Sequence, residues 1–435
     1  MSVSSPGSVT RLEQFALTAC MFLSVATIGF FQPFIPLFLE ASGMTRSQIG
    51  QIAGIGTGLA FLLQPLIGKL SDRLDARRPL MIVTAIVAGC SYLFYRSAHS
   101  LLLFIVLSAI GSNAISYFGS ACAVLVGRLA VGSGRGGALY AKYRLCGSVG
   151  YVFFSLIAGG LVQRAGNGQG QMGRHELSVL FLYGPLIFFA IAIVSWFVPD
   201  RKIVPSKPKG QRHSKPEKVA LPANMRYFLI AYFFYMFAMF GASGYLSLYM
   251  KSLGTSALWI TYIFSLGVVC EVLVMSQVGR FADRYGRRPA LAFAFILLPI
   301  RLLLYIPATG PLWVLSVQLM DGVNFGIIGT IGIVFANDIA TEGNRGLMQA
   351  RLAGSASLAT MLCPAACGWL AQKYGFGAMF ALTAFMGVLG AIVFLLFVEE
   401  THTPVMALSE RVPVVLRPLF RILDAPLLRK PSAIE

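Results

Sequence analysis

Gly279-Arg-Phe-Ala-Asp283-Arg284-Tyr-Gly286-Arg287-Arg288-Pro289 joins two long apolar stretches, and a near copy stands 211 residues earlier in the same setting, Gly68-Lys-Leu-Ser-Asp72-Arg73-Leu-Asp-Ala-Arg77-Arg78-Pro79. The copies differ in one turn, where Asp75-Ala76 replaces Gly286. Around them the chain is apolar. Of its 435 residues, 57% are hydrophobic and only 12% charged, and the mean hydropathy is +0.74. A soluble domain carries roughly twice that share of charge. So much apolar side chain cannot be hidden inside a water-soluble globule, and the protein is read as membrane-embedded.

A bilayer-crossing helix needs about 20 mostly apolar residues. Twelve stretches qualify: 15–39, 47–68, 79–98, 101–126, 140–162, 177–197, 227–249, 256–278, 289–308, 312–338, 350–371 and 378–397. They are too long and too uniformly apolar to be the alternating strands of a barrel. The first is also too long for the apolar core of a signal peptide and has no clear small-residue cleavage site, so it is expected to stay. Each copy of the quoted loop lies between the second and third span of a six-span block. The expected fold is an all-α membrane protein of twelve helices in two pseudo-symmetric six-helix bundles. The bundles cover 1–197 and 227–400, a Pro- and Lys/Arg-rich linker 198–226 joins them, and a tail follows at 401–435.

The +18 net charge is explained by its placement. With a cytoplasmic N-terminus, 28 of the 35 Lys and Arg fall on the cytoplasmic side. Only Arg46, Arg96, Arg164, Arg174, Lys251 and Lys373 fall outside, and Arg301 lies within a span. Positive-inside bias then puts both termini in the cytoplasm. The basic charge is a topological signal with some attraction to anionic lipid, and no nucleic-acid partner is expected. The seven cysteines lie in apolar segments and the four histidines in or beside polar connections, so no disulfide framework or buried metal site is indicated. The Gly132–Gly137 loop lacks the Lys-Ser/Thr ending of a nucleotide-binding loop. No activated nucleophile appears among the spans, and the chain is not read as an enzyme.

Three ionisable residues sit deep in the second block: Glu271, Arg301 and Asp321. Each costs about 2.5–3.5 kcal/mol at mid-helix on insertion scales, and such residues are functional by default. At about 1.5 Å per residue, Glu271 and Arg301 lie roughly 12 and 18 Å from the cytoplasmic ends of their spans. Asp321 lies around 14 Å from the outer end of its own. All three fall in the middle third of the membrane, where two carboxylates compete for one guanidinium and the loser in a dry site has a raised proton affinity.

The loop G-x-x-x-D-R-x-G-R-R is the signature of the major facilitator superfamily, which the second copy resembles throughout. The resemblance covers about residues 10–400. It implies alternating access between two bundles, with Gly68, Asp72, Arg73, Gly279, Asp283, Arg284 and Arg288 forming the loops that brace the outward-open state. Further strings resemble the lactose-permease branch, the oligosaccharide and nucleoside proton symporters. These are Phe31-Gln32-Pro33-Phe34-Ile35-Pro36, Ser47-Gln48-Ile49-Gly50, Leu63-Gln64-Pro65-Leu66-Ile67-Gly68, and Tyr143-Arg144-Leu-Cys-Gly147-Ser-Val-Gly150-Tyr151. The resemblance implies that Arg144 forks onto solute hydroxyls while Tyr151 packs on a ring face, and that Glu271, Arg301 and Asp321 form the proton-coupling network.

Gln32 beside two helix-weakening prolines, Asn113 in the fourth span, and Tyr235 and Tyr245 in the ring-rich seventh complete the candidate solute contacts. No acid in the fourth span matches the galactoside carrier, and Asp321 stands where that branch usually has His. The reading is a proton-coupled symporter of a small polar solute, a sugar or nucleoside, probed against the alternative of a proton-driven drug or metabolite exporter. It needs no cofactor beyond the proton gradient. It is expected as a monomer in a bacterial inner membrane, in contact with lipid. Reporter fusions check the orientation: green fluorescent protein at either terminus is expected to fluoresce, and alkaline phosphatase at either terminus to be inactive.

Overall fold

The computed structural model describes residues 11–74, 77–130, 136–167, 171–198, 221–341, 344–402 and 423–424. The side chains of 64–65, 68–74, 77, 123–130 and 136–143 lie outside the described set, as does most of the expected linker. The helices are α1 (Arg11–Phe31), α2 (Ile35–Ala41), α3 (Arg46–Leu74), α4 (Arg77–Tyr95), α5 (Leu101–Ala130), α6 (Gly136–Ala165), α7 (Arg174–Tyr183) and α8 (Pro185–Ser195). They continue with α9 (Ala223–Ser243), α10 (Leu246–Ser252), α11 (Ala257–Tyr285), α12 (Arg287–Leu304), α13 (Pro311–Ile339) and α14 (Arg345–Phe397). No strand occurs among the described residues.

Among the described residues, the fourteen helices are consistent with twelve expected spans: three of those spans are broken in two, and one helix covers two. The α1–α2 break falls at Gln32-Pro33-Phe34, where two prolines three apart remove backbone donors. Gly184, just before Pro185, separates α7 from α8, and Gly244-Tyr245 separates α9 from α10. Helix α14 runs through two expected spans and departs from helical geometry at Gly375 (φ 84°, ψ 175°), a left-handed position suited to glycine. Among the described residues, nine helical stretches are long and apolar enough to cross a membrane by length and composition. Helix α12 is short and carries Arg287, Arg288 and Arg301, yet its middle is buried. The outer apolar surface fits a lipid solvent: Phe15, Leu102, Ile193 and Leu312 are all exposed.

Two compact units emerge, and each takes a short piece of the other repeated block. Unit 1 holds Met1–Met44, Ile55–Ser206 and Ser256–Ser265, and unit 2 holds Thr45–Gly54, Lys207–Thr255 and Leu266–Glu435. Helices α3 and α11 each divide between the units, at 54/55 and 265/266.

Within unit 1, α1 and α6 pack at glycine. A Cβ on Gly150 would meet the Phe22 carbonyl oxygen at 2.3 Å, one on Gly29 the Tyr151 carbonyl at 2.4 Å, and one on Gly147 the Val25 side chain at 2.8 Å. Small residues permit this approach where lipid offers no hydrophobic driving force. One end of unit 1 is a ring cluster in which Tyr95 stacks on Phe181 at 5.2 Å and Phe31 on Tyr92 at 4.3 Å. Arg174 closes that end by donating to the carbonyls of Ala98 and Arg96. Gly150→Leu should lower the melting temperature by an amount equivalent to at least 1–3 kcal/mol of overpacking. Gly160→Leu, with nothing within 4 Å of its site, should leave it unchanged in the same fluorescence melt.

Candidate functional site

The polar centre of unit 2 lies on α12 and α13. Arg301 forms an ion pair with Asp321, and the two residues are 1% and 7% exposed. In a medium this poor in water, the pair survives because each charge neutralises the other, while the buried Arg301 Nε has no hydrogen-bond partner among the described residues. Gln318, one helical turn before Asp321, donates from Nε2 to Asp321 Oδ2 at 2.7 Å. Its Oε1 accepts from the Tyr305 hydroxyl at 2.7 Å, and the Tyr305 carbonyl accepts from the Tyr249 hydroxyl at 2.6 Å. A chain of donors thus runs from α10 through the end of α12 to the carboxylate on α13. Three residues beyond Asp321, Asn324 donates to the Ala294 carbonyl and to the Tyr235 hydroxyl, both at 2.8 Å.

Glu271 is half-buried on α11, at the level of Asp321. A Cβ on Gly322 would lie 2.8 Å from the Glu271 amide nitrogen, and one on Gly326 would lie 3.0 Å from its carbonyl oxygen. Glycine at 322 and 326 lets α13 lie directly on α11, bringing the two acid-bearing turns side by side. Of the three ionisable residues singled out in the sequence, Arg301 and Asp321 thus form a close pair, and Glu271 lies on the abutting turn.

The remaining expected residues fall into separate environments. In unit 1, Arg144 and Gln32 are exposed, while Tyr151 is buried. Asn113 is buried and donates to the Ala109 carbonyl at 2.8 Å. Tyr235 is fully buried and belongs to the Asn324 group. Tyr245 is also buried, but its hydroxyl donates to the Pro364 carbonyl at 2.7 Å and lies 3.2 Å from the Arg46 carbonyl. That hydroxyl serves as a helix tie. It holds the first turn of α3 on α14, where Arg46 also lies 4.2 Å over the Phe376 ring.

Of the first loop copy, Gly68, Asp72 and Arg73 lie on α3, but their side chains are outside the described residues. In the second copy Gly279 sits on α11, and Gly286 takes φ 104° between α11 and α12. Asp283 pairs with Arg287 at 2.6 Å, and Arg287 also reaches Asp338 at 3.3 Å. Arg284 is exposed over the Tyr285 ring. Arg288 is fully buried and donates to the carbonyls of Leu395, Val398 and Leu423. Sequence reasoning missed Glu400, which accepts the backbone N–H groups of Arg287 and Arg288 and so caps the start of α12 from more than 110 residues away. The Glu399-Glu400 pair ending the last apolar span was the available signal.

A match to the model of the MFS_1 like family spans residues 14–381. The chain belongs to this family of major facilitator transporters. An uncharacterised MFS-type transporter of Mycobacterium tuberculosis is 25% identical over 381 residues, covering 82% of this chain and 85% of that one. The maltose permease of Geobacillus stearothermophilus is 23% identical over 401 residues, 91% of this chain and 97% of its own. Among solved structures, a mutant of the nucleoside transporter NupG aligns with a TM-score of 0.74 at 13% identity, covering 88% of this chain and 99% of that chain. The protein is thus an integral-membrane transporter of a small-molecule solute, and it is not an enzyme.

The ion pair makes a stability prediction. Asp321→Asn leaves the buried guanidinium uncompensated and should cost about 3–5 kcal/mol, read as a large fall in melting temperature. Combining it with Arg301→Gln should recover most of the loss. Additive losses in the double variant would contradict a direct pair.

Proposed function

We propose that this transporter carries a small polar solute, a sugar or nucleoside, in symport with protons. The observation that carries the reading is the buried Arg301–Asp321 pair, whose strength depends on a removable proton. With Asp321 ionised, the pair is held by charge and by the Gln318 donor. A proton on Asp321 abolishes the attraction and leaves Arg301 seeking another acceptor. Glu271, on the adjoining turn of α11, is one acceptor, and solute hydroxyls are another. Proton binding and solute binding are linked in this way through one guanidinium, whose planar fork suits hydroxyl and carboxylate oxygens alike.

Arg144, Tyr151, Gln32 and Asn113 are the proposed solute contacts from the first bundle, with Tyr235 acting from the second through Asn324. Tyr245, its hydroxyl already spent on carbonyls, contributes through position. Full-length similarity to a maltose permease and a shared fold with a nucleoside transporter support this solute class. The loop residues Asp72, Arg73, Asp283 and Arg284 are proposed to brace one state of the alternating cycle.

The test uses proteoliposomes with an imposed inward proton gradient and a panel of radiolabelled sugars and nucleosides. The wild-type protein should accumulate its solute uphill and add alkali to the medium. Glu271→Gln should abolish accumulation while preserving counterflow exchange. Unchanged uphill uptake by that variant removes Glu271 from coupling, and acid-driven efflux by the wild type would favour the exporter reading instead.

A further inference from the structure

Away from the ion pair, unit 2 holds a cavity of about 540 Å³ near the signature loop. That volume lies within the range of ligand-binding clefts. Leu273, Gln277 and Phe281 line it along α11, Pro289 and Phe293 along α12, and Ile327 on α13. Ile327 is buried, whereas Leu273 and Phe293 are 64% and 49% exposed. The groove therefore opens on the apolar flank that faces lipid. From Leu273 to Phe281 it runs about 12 Å along α11, close to the depth of one leaflet's hydrocarbon, about 15 Å. Leu423 stands at its rim, held there by the Arg288 guanidinium, which donates to the Leu423 carbonyl at 2.6 Å.

The lining is apolar apart from Gln277, but the end toward the signature loop is cationic. Arg280 and Arg284 follow Leu273 by seven and eleven residues, which at 3.6 residues per turn returns each to within about 20° of its direction. Both are exposed. The neighbouring carboxylates are already engaged: Asp283 and Asp338 with Arg287, Glu400 with backbone amides, and Asp424, beside Leu423, with Arg288. Among the described residues none pairs with Arg280 or Arg284. A greasy slot with two uncompensated guanidinium groups at one end matches an amphiphile with an anionic head. A peptide would bring unsatisfied backbone groups into hydrocarbon.

We infer that this groove binds one anionic phospholipid from the leaflet on the signature-loop side, with an acyl chain between α11 and α12 and the phosphate on Arg280 and Arg284. The site is independent of the proposed proton coupling. It gives the signature loop a direct link to membrane composition.

Native mass spectrometry of the full-length protein, released from detergent with phosphatidylglycerol or with phosphatidylcholine of the same chains, tests it. Phosphatidylglycerol should be retained at least about five-fold better, the difference one cation makes at an anionic head. Arg280→Gln should lose most of that preference and Arg280→Lys should keep it. Gln277→Trp, which fills an exposed wall, should weaken retention of both lipids. Equal retention of the two lipids by the wild type, or an unchanged preference in Arg280→Gln, would overturn the inference. So would protection of the 403–422 segment from protease with no lipid bound, which would assign the groove to the tail.

Discussion

A charge placed in hydrocarbon must be answered by another, and in unit 2 that constraint is met by Arg301 and Asp321. The surrounding structure keeps this pair buried and supports its carboxylate side. Gln318 occupies the second carboxylate oxygen, Tyr305 orients Gln318, and Tyr249 anchors the segment that carries Tyr305. Glycine at 322 and 326 closes α11 onto α13, so that water is excluded by backbone contact. An arrangement of this kind is costly to build and sensitive to a single proton. Those properties suit a transporter that draws on a proton gradient.

The fold was largely readable from the chain because its two strongest signals are local and repeated. Length and hydropathy located the long apolar helices, and the duplicated loop marked an internal repeat. The helix breaks at Pro33 and Gly375 follow from a ring that removes a backbone donor and from a residue that readily takes positive φ. Glycines 147 and 150 stand three apart in the expected fifth span, but their role as close-approach positions against α1 became evident only from packing. The co-location of Arg301 and Asp321 was also legible, since depth in the membrane can be counted along each helix.

Other features were hidden for physical reasons. Capping of α12 by Glu400 joins residues more than 110 apart, and no local pattern announces it. The burial of Arg288 under three carbonyls reads in sequence as one more inside-positive anchor. Tyr245 looked like a cavity-lining ring because it lies in an aromatic-rich span. Its hydroxyl is consumed by Pro364 and Arg46, a use that depends on which helix lies opposite. Sequence reports what a residue can donate, whereas tertiary packing decides to whom.

If Asp321 is the group whose protonation gates transport, the zero-flux point of solute movement in proteoliposomes must follow the imposed pH gradient. The wild-type protein should shift this point in proportion to the gradient, and Asp321→Asn, where it remains folded, should show a zero-flux point set by solute concentrations alone. A wild-type zero-flux point indifferent to the pH gradient, or an Asp321→Asn variant that still follows it, would contradict coupling at this ion pair.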